Sequence, residues 1–265
     1  MRPSEKRRNP YLDKILRHSP PDMGQVRTFF VLSFVLAFIL SSNDWGVNAF
    51  SLVTGLGNLI ISFFVVLLSY GAHNAVQRWY AAHRGYQPEH LPWIPGIILG
   101  LILALLSNGN ILFLAASGIT IHHLTVQRLG TFRYGVNVHI LGKIALLGLL
   151  TTAIIAGIAK TILLTTNLTS LPLYFFTKLY TFNLLFLIWN ALPLPPLDGS
   201  RFFYWSRMNY VFWSMGALTY FLLLSFGIRS LLLSFIVALI ALALYYTFYE
   251  RHWWNPSGVD FPGKK

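Results

Sequence analysis

Long runs of apolar residues, separated by short polar segments, form the dominant pattern of this 265-residue chain. The runs are rich in Leu, Ile and Phe and lack the strict alternation of half-buried strands, so they predict helices. A helix of about 20 residues crosses a hydrocarbon core of about 30 Å. The pattern therefore predicts an all-α polytopic membrane protein with about six transmembrane helices plus a re-entrant hairpin.

The predicted spans lie at approximately 29–42, 52–84, 140–163, 179–194, 210–226 and 231–249. The hairpin is predicted from two shorter apolar stretches, 91–109 and 111–121, which are interrupted at Ser107-Asn108-Gly109. Irregular backbone at membrane depth is tolerated only where it faces protein or a water-filled cavity. We therefore expect this segment to be enclosed by the longer helices.

Composition agrees with a membrane location, since 55% of residues are hydrophobic and 11% are charged, against about 25% charged in soluble domains. The absence of cysteine excludes disulfides, cysteine-ligated zinc and thiol catalysis. The net charge of +12 raises the possibility of nucleic-acid binding. However, the basic residues cluster beside the apolar runs, which predicts cytoplasmic flanks that contact membrane lipids and no nucleic-acid partner. The resulting prediction is a basic cytoplasmic tail (1–27), a transmembrane domain (28–250) and a second cytoplasmic tail (251–265), with both termini cytoplasmic.

One of the eight carboxylates stands apart from the rest. Asp198 directly follows an apolar run, within the segment Asn190-Ala-Leu-Pro-Leu-Pro-Pro-Leu-Asp198-Gly199. An ionisable residue at membrane depth is a candidate functional residue. Alternatively, the prolines form a surface turn in which Asp198 caps the next helix. The residues alone favour neither interpretation.

A second polar group lies in the extension of the second predicted span. His73 and Gln77 are four residues apart and share a helix face, and Asn74 and Arg78 form a neighbouring pair. A single helical histidine is more often a packed, hydrogen-bonded residue than a metal ligand. Among the other histidines, we expect His83 and His90 to be solvated in an interfacial loop.

Together the two segments resemble the site-2 protease family of intramembrane zinc metalloproteases. That family carries HExxHAxxAxxxGY on one transmembrane helix and an N-x-x-P-x-x-P motif followed by L-D-G on a later one. The resemblance covers approximately residues 52–204. Its parts are the segment from His73 to Tyr86, the Pro95-Gly96 stretch, the altered Gly148–Thr152 stretch and the segment from Asn190 to Gly199.

The resemblance implies a role for each matching position. His73 and Asp198 correspond to metal ligands, and Gln77 stands at the position of the second ligand histidine. Asn74 stands at the position of the general-base glutamate. Asn190 corresponds to a substrate-orienting residue. A catalytic zinc needs three protein ligands and a water, and a carboxamide has no basic lone pair to accept a proton. We therefore expect a catalytically inactive pseudoprotease without a cofactor, with a binding, regulatory or scaffolding role. Its expected partners are transmembrane protein clients or a membrane complex, and we expect His73, Gln77 or Arg78 to hydrogen-bond Asp198 in place of a metal.

Two alternatives remain open at this point. An active but divergent zinc metalloprotease that cleaves transmembrane substrates would need a further ligand, for which His83 and His139 are the candidates. A transporter or structural subunit would show paired polar residues across several spans, and the sequence offers no second carboxylate within a span.

Overall fold

The computed structural model describes residues 22–46, 50–123 and 137–251, and most of them are helical. This confirms the predicted helical membrane fold. The chain divides into two compact units, Met1–Trp205 and Ser206–Lys265. The predicted tails fall largely outside the described residues, so their extent and the cytoplasmic location of both termini stay predictions.

The first unit contains six described helices and two strands. In chain order they are α1 (Met23–Ser41), α2 (Leu52–His83), β1 (Tyr86–Pro92), α3 (Ile94–Leu106), β2 (Ser117–His123), α4 (Val138–Thr165), α5 (Ser170–Ala191) and α6 (Asp198–Trp205). In the second unit, α7 (Arg207–Ser225) packs against α8 (Leu231–Tyr245), which continues as a π-helical turn, Tyr246–Glu250.

Among the described residues, five helices are long and apolar enough to cross a membrane: α1, α2, α4, α5 and α8 with its π-helical turn. The remaining predicted span, 210–226, corresponds to α7, a helix of 19 residues that does not belong to this set. Arg207, Asn209 and Ser214 lower its apolar content. The multi-pass character of the chain therefore rests on five helices.

The predicted re-entrant hairpin is the part of the fold that differs most from expectation. Its first half forms the short helix α3, but its second half is extended, and β2 pairs antiparallel with β1. In β2 the apolar residues Ile119 and Ile121 are buried, while Thr120 between them is partly exposed. This period-two alternation is typical of a strand, and it was hidden in the sequence by the apolar residues that precede it.

The core of the first unit forms where α1, α2 and α5 pack together. Its fully buried members include Leu36 of α1, Val65 and Tyr70 of α2, and Phe182 and Phe186 of α5. Helix α4 packs against α2, α5 and α6. The polar C-terminal half of α2 is thereby enclosed between α4, α5 and α6.

Candidate functional site

Asp198 reaches the protein interior because the chain turns sharply after α5. Backbone hydrogen bonds from Leu197 N to Leu194 O (2.9 Å) and from Ser200 N to Leu197 O (3.2 Å) form the turn. Gly199 permits its close approach to α5, since a Cβ atom there would lie 2.1 Å from the carbonyl oxygen of Ala191. Asp198 is the first residue of α6 and is 3% exposed, so the surface-turn interpretation is wrong.

The buried carboxylate lies directly against α2. His73 Nε2 is 2.9 Å from Asp198 Oδ2, and Gln77 Nε2 donates a hydrogen bond of 2.8 Å to the same oxygen. The side chains of His73 and Gln77 share a face because they are one helical turn apart. The expected contact between α2 and Asp198 is therefore confirmed for His73 and Gln77. We call His73, Gln77 and Asp198 the clamp.

Two polar atoms of the clamp are buried without a hydrogen-bond partner, namely His73 Nδ1 and Gln77 Oε1. An ionised carboxylate only accepts hydrogen bonds, so an ionised Asp198 requires the hydrogen of His73 to be on Nε2. The unpaired Nδ1 is notable because buried polar atoms are usually satisfied.

Helix α4 and helix α5 form the apolar walls around the clamp. A Cβ atom at Gly148 of α4 would lie 2.3 Å from Gln77 Nε2 and 2.6 Å from His73 Cε1. On the other side, the ring of Phe186 meets the His73 ring edge-on, with centroids 5.3 Å apart. The close approach of α4 depends on a residue without a side chain, so Gly148 belongs to the site.

The remaining residues of the α2 motif point elsewhere. Arg78 donates from Nη2 to Gln25 Oε1 of α1 rather than to Asp198, so it is the one of the three candidate partners that does not take part in the contact. A helix turns by about 100° per residue, which carries Arg78 off the face that holds Gln77. The Asn74 side chain is buried, and its Oδ1 has no hydrogen-bond partner.

Asn190 is buried within α5. Its Nδ2 donates to the carbonyl oxygen of Phe186, one turn earlier in the same helix, at 2.9 Å. This amide stabilises the end of α5 just before the turn that leads to Asp198. Its substrate-orienting role stays a prediction.

The histidines proposed as substitute ligands lie outside the clamp. His83 is exposed and stacks on Trp79, about 15 Å along α2 from His73. His139 accepts a hydrogen bond of 2.7 Å at Nδ1 from Trp205 Nε1 and is exposed. The arrangement brings neither residue to Asp198.

His90 contradicts the expectation of a solvated loop residue. It lies in β1, and its Nε2 is buried without a hydrogen-bond partner. Burial, followed by the positive charge of Arg78, lowers the pKa of His90 to about 3. The imidazole is therefore neutral at physiological pH.

The donor set of the clamp does not fit a catalytic zinc. No group of three or more His, Cys, Asp or Glu side chains with metal-binding proximity occurs in the described residues. His73 and Asp198 supply two ligands, one fewer than the three protein ligands of a catalytic zinc. A zinc-ligating histidine usually donates its other N–H to a partner, and His73 Nδ1 has none.

The strand pair approaches the clamp from the side of β2. The hydroxyl of Tyr70 donates to Ser117 Oγ at 2.9 Å. A Cβ atom at Gly118 would lie 2.2 Å from the carbonyl oxygen of Pro196. The start of β2 thus packs against both α2 and the proline-containing turn, a contact that the sequence analysis did not predict.

Comparison with known proteins gives one informative similarity. Over 193 residues the chain is 27% identical to a protein of Methanocaldococcus jannaschii named "Putative zinc metalloprotease MJ0611". The aligned region covers 72% of this chain and 89% of that protein. No protein-family model matches the chain, and no solved structure matches it. The similarity indicates a metalloprotease-like chain.

Proposed function

We propose that this protein is a site-2-protease-like membrane protein in which the clamp replaces the catalytic metal centre and which binds transmembrane clients without cleaving them. The observation that carries the proposal is that one oxygen of Asp198 accepts hydrogen bonds from both His73 and Gln77. A carboxylate satisfied in this way is stable in a buried site without a cation. The resemblance of the two motifs and the similarity to the archaeal protein support the family assignment.

The chemistry at position 74 supports the lack of hydrolysis. A metalloprotease needs a base that accepts a proton from the attacking water, a contribution of about 100- to 10,000-fold. The carboxamide of Asn74 cannot accept that proton, and the side chain does not hydrogen-bond Asp198. Within the described residues of the first unit, the one glutamate is Glu89, which is 37% exposed and contacts His122 at 2.9 Å.

The edge of β1 that does not pair with β2 indicates whether the client binds as a helix or as an extended peptide. Trp93 N donates to Ala116 O, so in the register of the two strands Pro88 and Pro92 occupy positions whose N–H groups would point away from β2. Proline has no N–H to offer, which blunts an edge strand against pairing. A transmembrane helix is therefore the favoured client over an extended peptide added to β1.

A cleavage assay in liposomes tests the proposal. The purified protein and a fluorescently labelled transmembrane peptide are reconstituted together with zinc in the buffer, and the products are separated by mass. We expect crosslinking between peptide and protein but no cleavage above that of the Asp198→Asn variant. Zinc-dependent cleavage by the wild-type chain that is lost in Asp198→Asn would contradict it.

An active enzyme is the second candidate function, and the name of the archaeal protein favours it. This alternative needs a third ligand at the clamp. The same assay separates the two, because only the active enzyme produces new peptide termini.

A further inference from the structure

A second polar site lies beside the clamp, on the opposite face of α2. A cavity of about 210 Å³ opens between α1, α2 and β1. This is roughly seven times the share of volume that one water molecule occupies in the liquid. Its polar lining comes from Gln25, Asn74, Arg78 and His90.

Three polar atoms in the lining are buried and have no hydrogen-bond partner: Asn74 Oδ1, Arg78 Nη1 and His90 Nε2. Arg78 also has no carboxylate partner within the described part of the chain, since its Nη2 contacts the neutral amide of Gln25. Arg78 is partly buried, and a cation withdrawn from water without a counter-charge is costly. Arg78 and His90 thus line the cavity with polar atoms that no protein group satisfies, and a ligand with negative charge would complement them.

The other lining residues are apolar. Val26, Phe29 and Leu32 of α1 form one wall, and Gly71 and Ala75 of α2 form part of the other. A small hydrophilic anion would leave this surface uncovered, whereas an anion attached to a hydrocarbon chain would cover it. The combination is typical of a site for an amphiphile.

The position of the cavity along the helices agrees with such a ligand. Helix α2 has 32 residues and a length of about 48 Å, which exceeds the hydrocarbon thickness of about 30 Å. Arg78 stands near its C-terminal end, about 39 Å from Leu52. Gln25 lies in the first turn of α1, so the cavity lies beside the ends of two candidate membrane-spanning helices, where we expect lipid headgroups.

We propose that this cavity binds the phosphate group of an anionic phospholipid, with Arg78 and His90 at the phosphate and the acyl chain along Val26, Phe29 and Leu32. Guanidinium groups match phosphate oxygens in a bidentate geometry. The inference is independent of whether the chain cleaves peptides. The proposed lipid contacts residues of α1, α2 and β1 that do not belong to the clamp.

Lipid binding to the purified full-length protein tests the proposal. Native mass spectrometry in detergent compares phosphatidylglycerol with phosphatidylcholine, and inorganic phosphate is added as a competitor. We expect phosphatidylglycerol to bind about tenfold or more tightly than phosphatidylcholine, because phosphatidylcholine carries the same phosphate but adds a quaternary ammonium that would lie close to the like charge of Arg78. Inorganic phosphate that displaces the lipid completely would overturn the lipid assignment and leave a phosphate site.

Variants of α2 make the test specific to the cavity. Arg78→Gln removes the guanidinium, and Arg84→Gln removes an equal charge from the exposed end of the same helix, where Arg84 contacts Tyr80. We expect Arg78→Gln to abolish the preference for phosphatidylglycerol and Arg84→Gln to preserve it within about twofold. An equal loss in both variants would mean surface charge alone and would overturn the proposal.

A cavity-filling variant covers the case in which Arg78→Gln fails to fold. Gly71→Leu keeps every charge, and its Cβ would meet Phe29 at an ordinary contact distance of 3.7 Å. Its side chain would occupy the space assigned to the lipid. We expect Gly71→Leu to fold and to lose the preference for phosphatidylglycerol; retained preference would overturn the proposal.

Discussion

Replacing Asp198 with asparagine removes the negative charge that attracts the hydrogen bonds of His73 and Gln77, while the size of the side chain stays the same. Each hydrogen bond to a charged acceptor contributes about 1.5–3 kcal/mol. The amide oxygen that remains can accept both donors but carries no full charge, so both hydrogen bonds weaken to those of a neutral acceptor. The loss is offset in part because no carboxylate is then buried. We expect Asp198→Asn to lower the free energy of unfolding by about 2–4 kcal/mol.

The chain supplies a matched control for this variant. Glu89 and His122 form a second histidine–carboxylate contact at the same distance, 2.9 Å, but their side chains are 37% and 63% exposed. Exposed ion pairs contribute about 0–1 kcal/mol. We expect Glu89→Gln to have little effect, so the difference between the two variants isolates the effect of burial.

Thermal unfolding in detergent measures both variants through the fluorescence of the eight tryptophans. A change of 2–4 kcal/mol corresponds to a lower Tm by roughly 5–15 °C. Each protein is measured with and without a chelator. The clamp predicts that the chelator leaves the wild-type Tm unchanged. The reasoning is refuted if the chelator lowers the wild-type Tm to that of Asp198→Asn, because the carboxylate would then act through a metal.

Three further predictions concern the surroundings of the clamp and of His90. Gly148→Ala should lower the free energy of unfolding by about 1–3 kcal/mol, because its Cβ would overlap Gln77. In the control Gly57→Ala, no atom lies within 4 Å of the new Cβ, so this variant should be neutral or more stable by up to about 1 kcal/mol. Thermal unfolding measures both variants. Gln77→His should supply a third ligand, so that zinc at about 100 times its Kd stabilises this variant by about 2.7 kcal/mol and leaves the wild-type Tm unchanged. The pKa of His90 is lowered to about 3 from about 6.5 in the unfolded chain, so the unfolded state binds more protons between these two pH values. The stability that neutral His90 provides is therefore complete above pH 6.5 and should fall by up to about 2 kcal/mol by pH 5. The variant His90→Gln should remove this loss from the pH profile of Tm.

Each of these expectations has an outcome that contradicts it. Equal Tm values for Gly148→Ala and Gly57→Ala would mean that α4 does not approach the clamp closely. Zinc stabilisation of the wild-type chain equal to that of the Gln77 variant would mean that three ligands are already present. A pH profile that is identical with and without His90 would mean that its imidazole is solvated.

The helices were predictable because their apolar runs carry the signal directly. The pairing of His73 with Asp198 was predictable in a different way, since two segments 125 positions apart resemble two parts of one known centre. The spacing of His73 and Gln77 then required both side chains to face the same partner. By the same geometry, Arg78 was a poor candidate for that contact.

The sequence pattern did not predict the strand pair or the cavity between α1, α2 and β1. The residues of β2 continue an apolar stretch, so their alternation was not separated from the preceding extended segment, in which Phe113 and Leu114 are both buried. His90 was misplaced because a polar residue between helices is usually solvated, whereas pairing of β1 with β2 holds it against α1 and α2. Gly148 had a usable signal: small residues of α4, including Gly142, Ala145, Gly148 and Thr152, recur at helical spacing and mark a close helix contact.

The zinc content of the purified wild-type protein tests the central claim most directly. The protein is produced in zinc-supplemented medium, purified without chelator, and measured by elemental mass spectrometry beside Asp198→Asn. We expect less than about one zinc per ten chains in both proteins, because a complete site needs three protein ligands. About one zinc per wild-type chain, lost in Asp198→Asn, would contradict the account and establish a metal centre at the clamp.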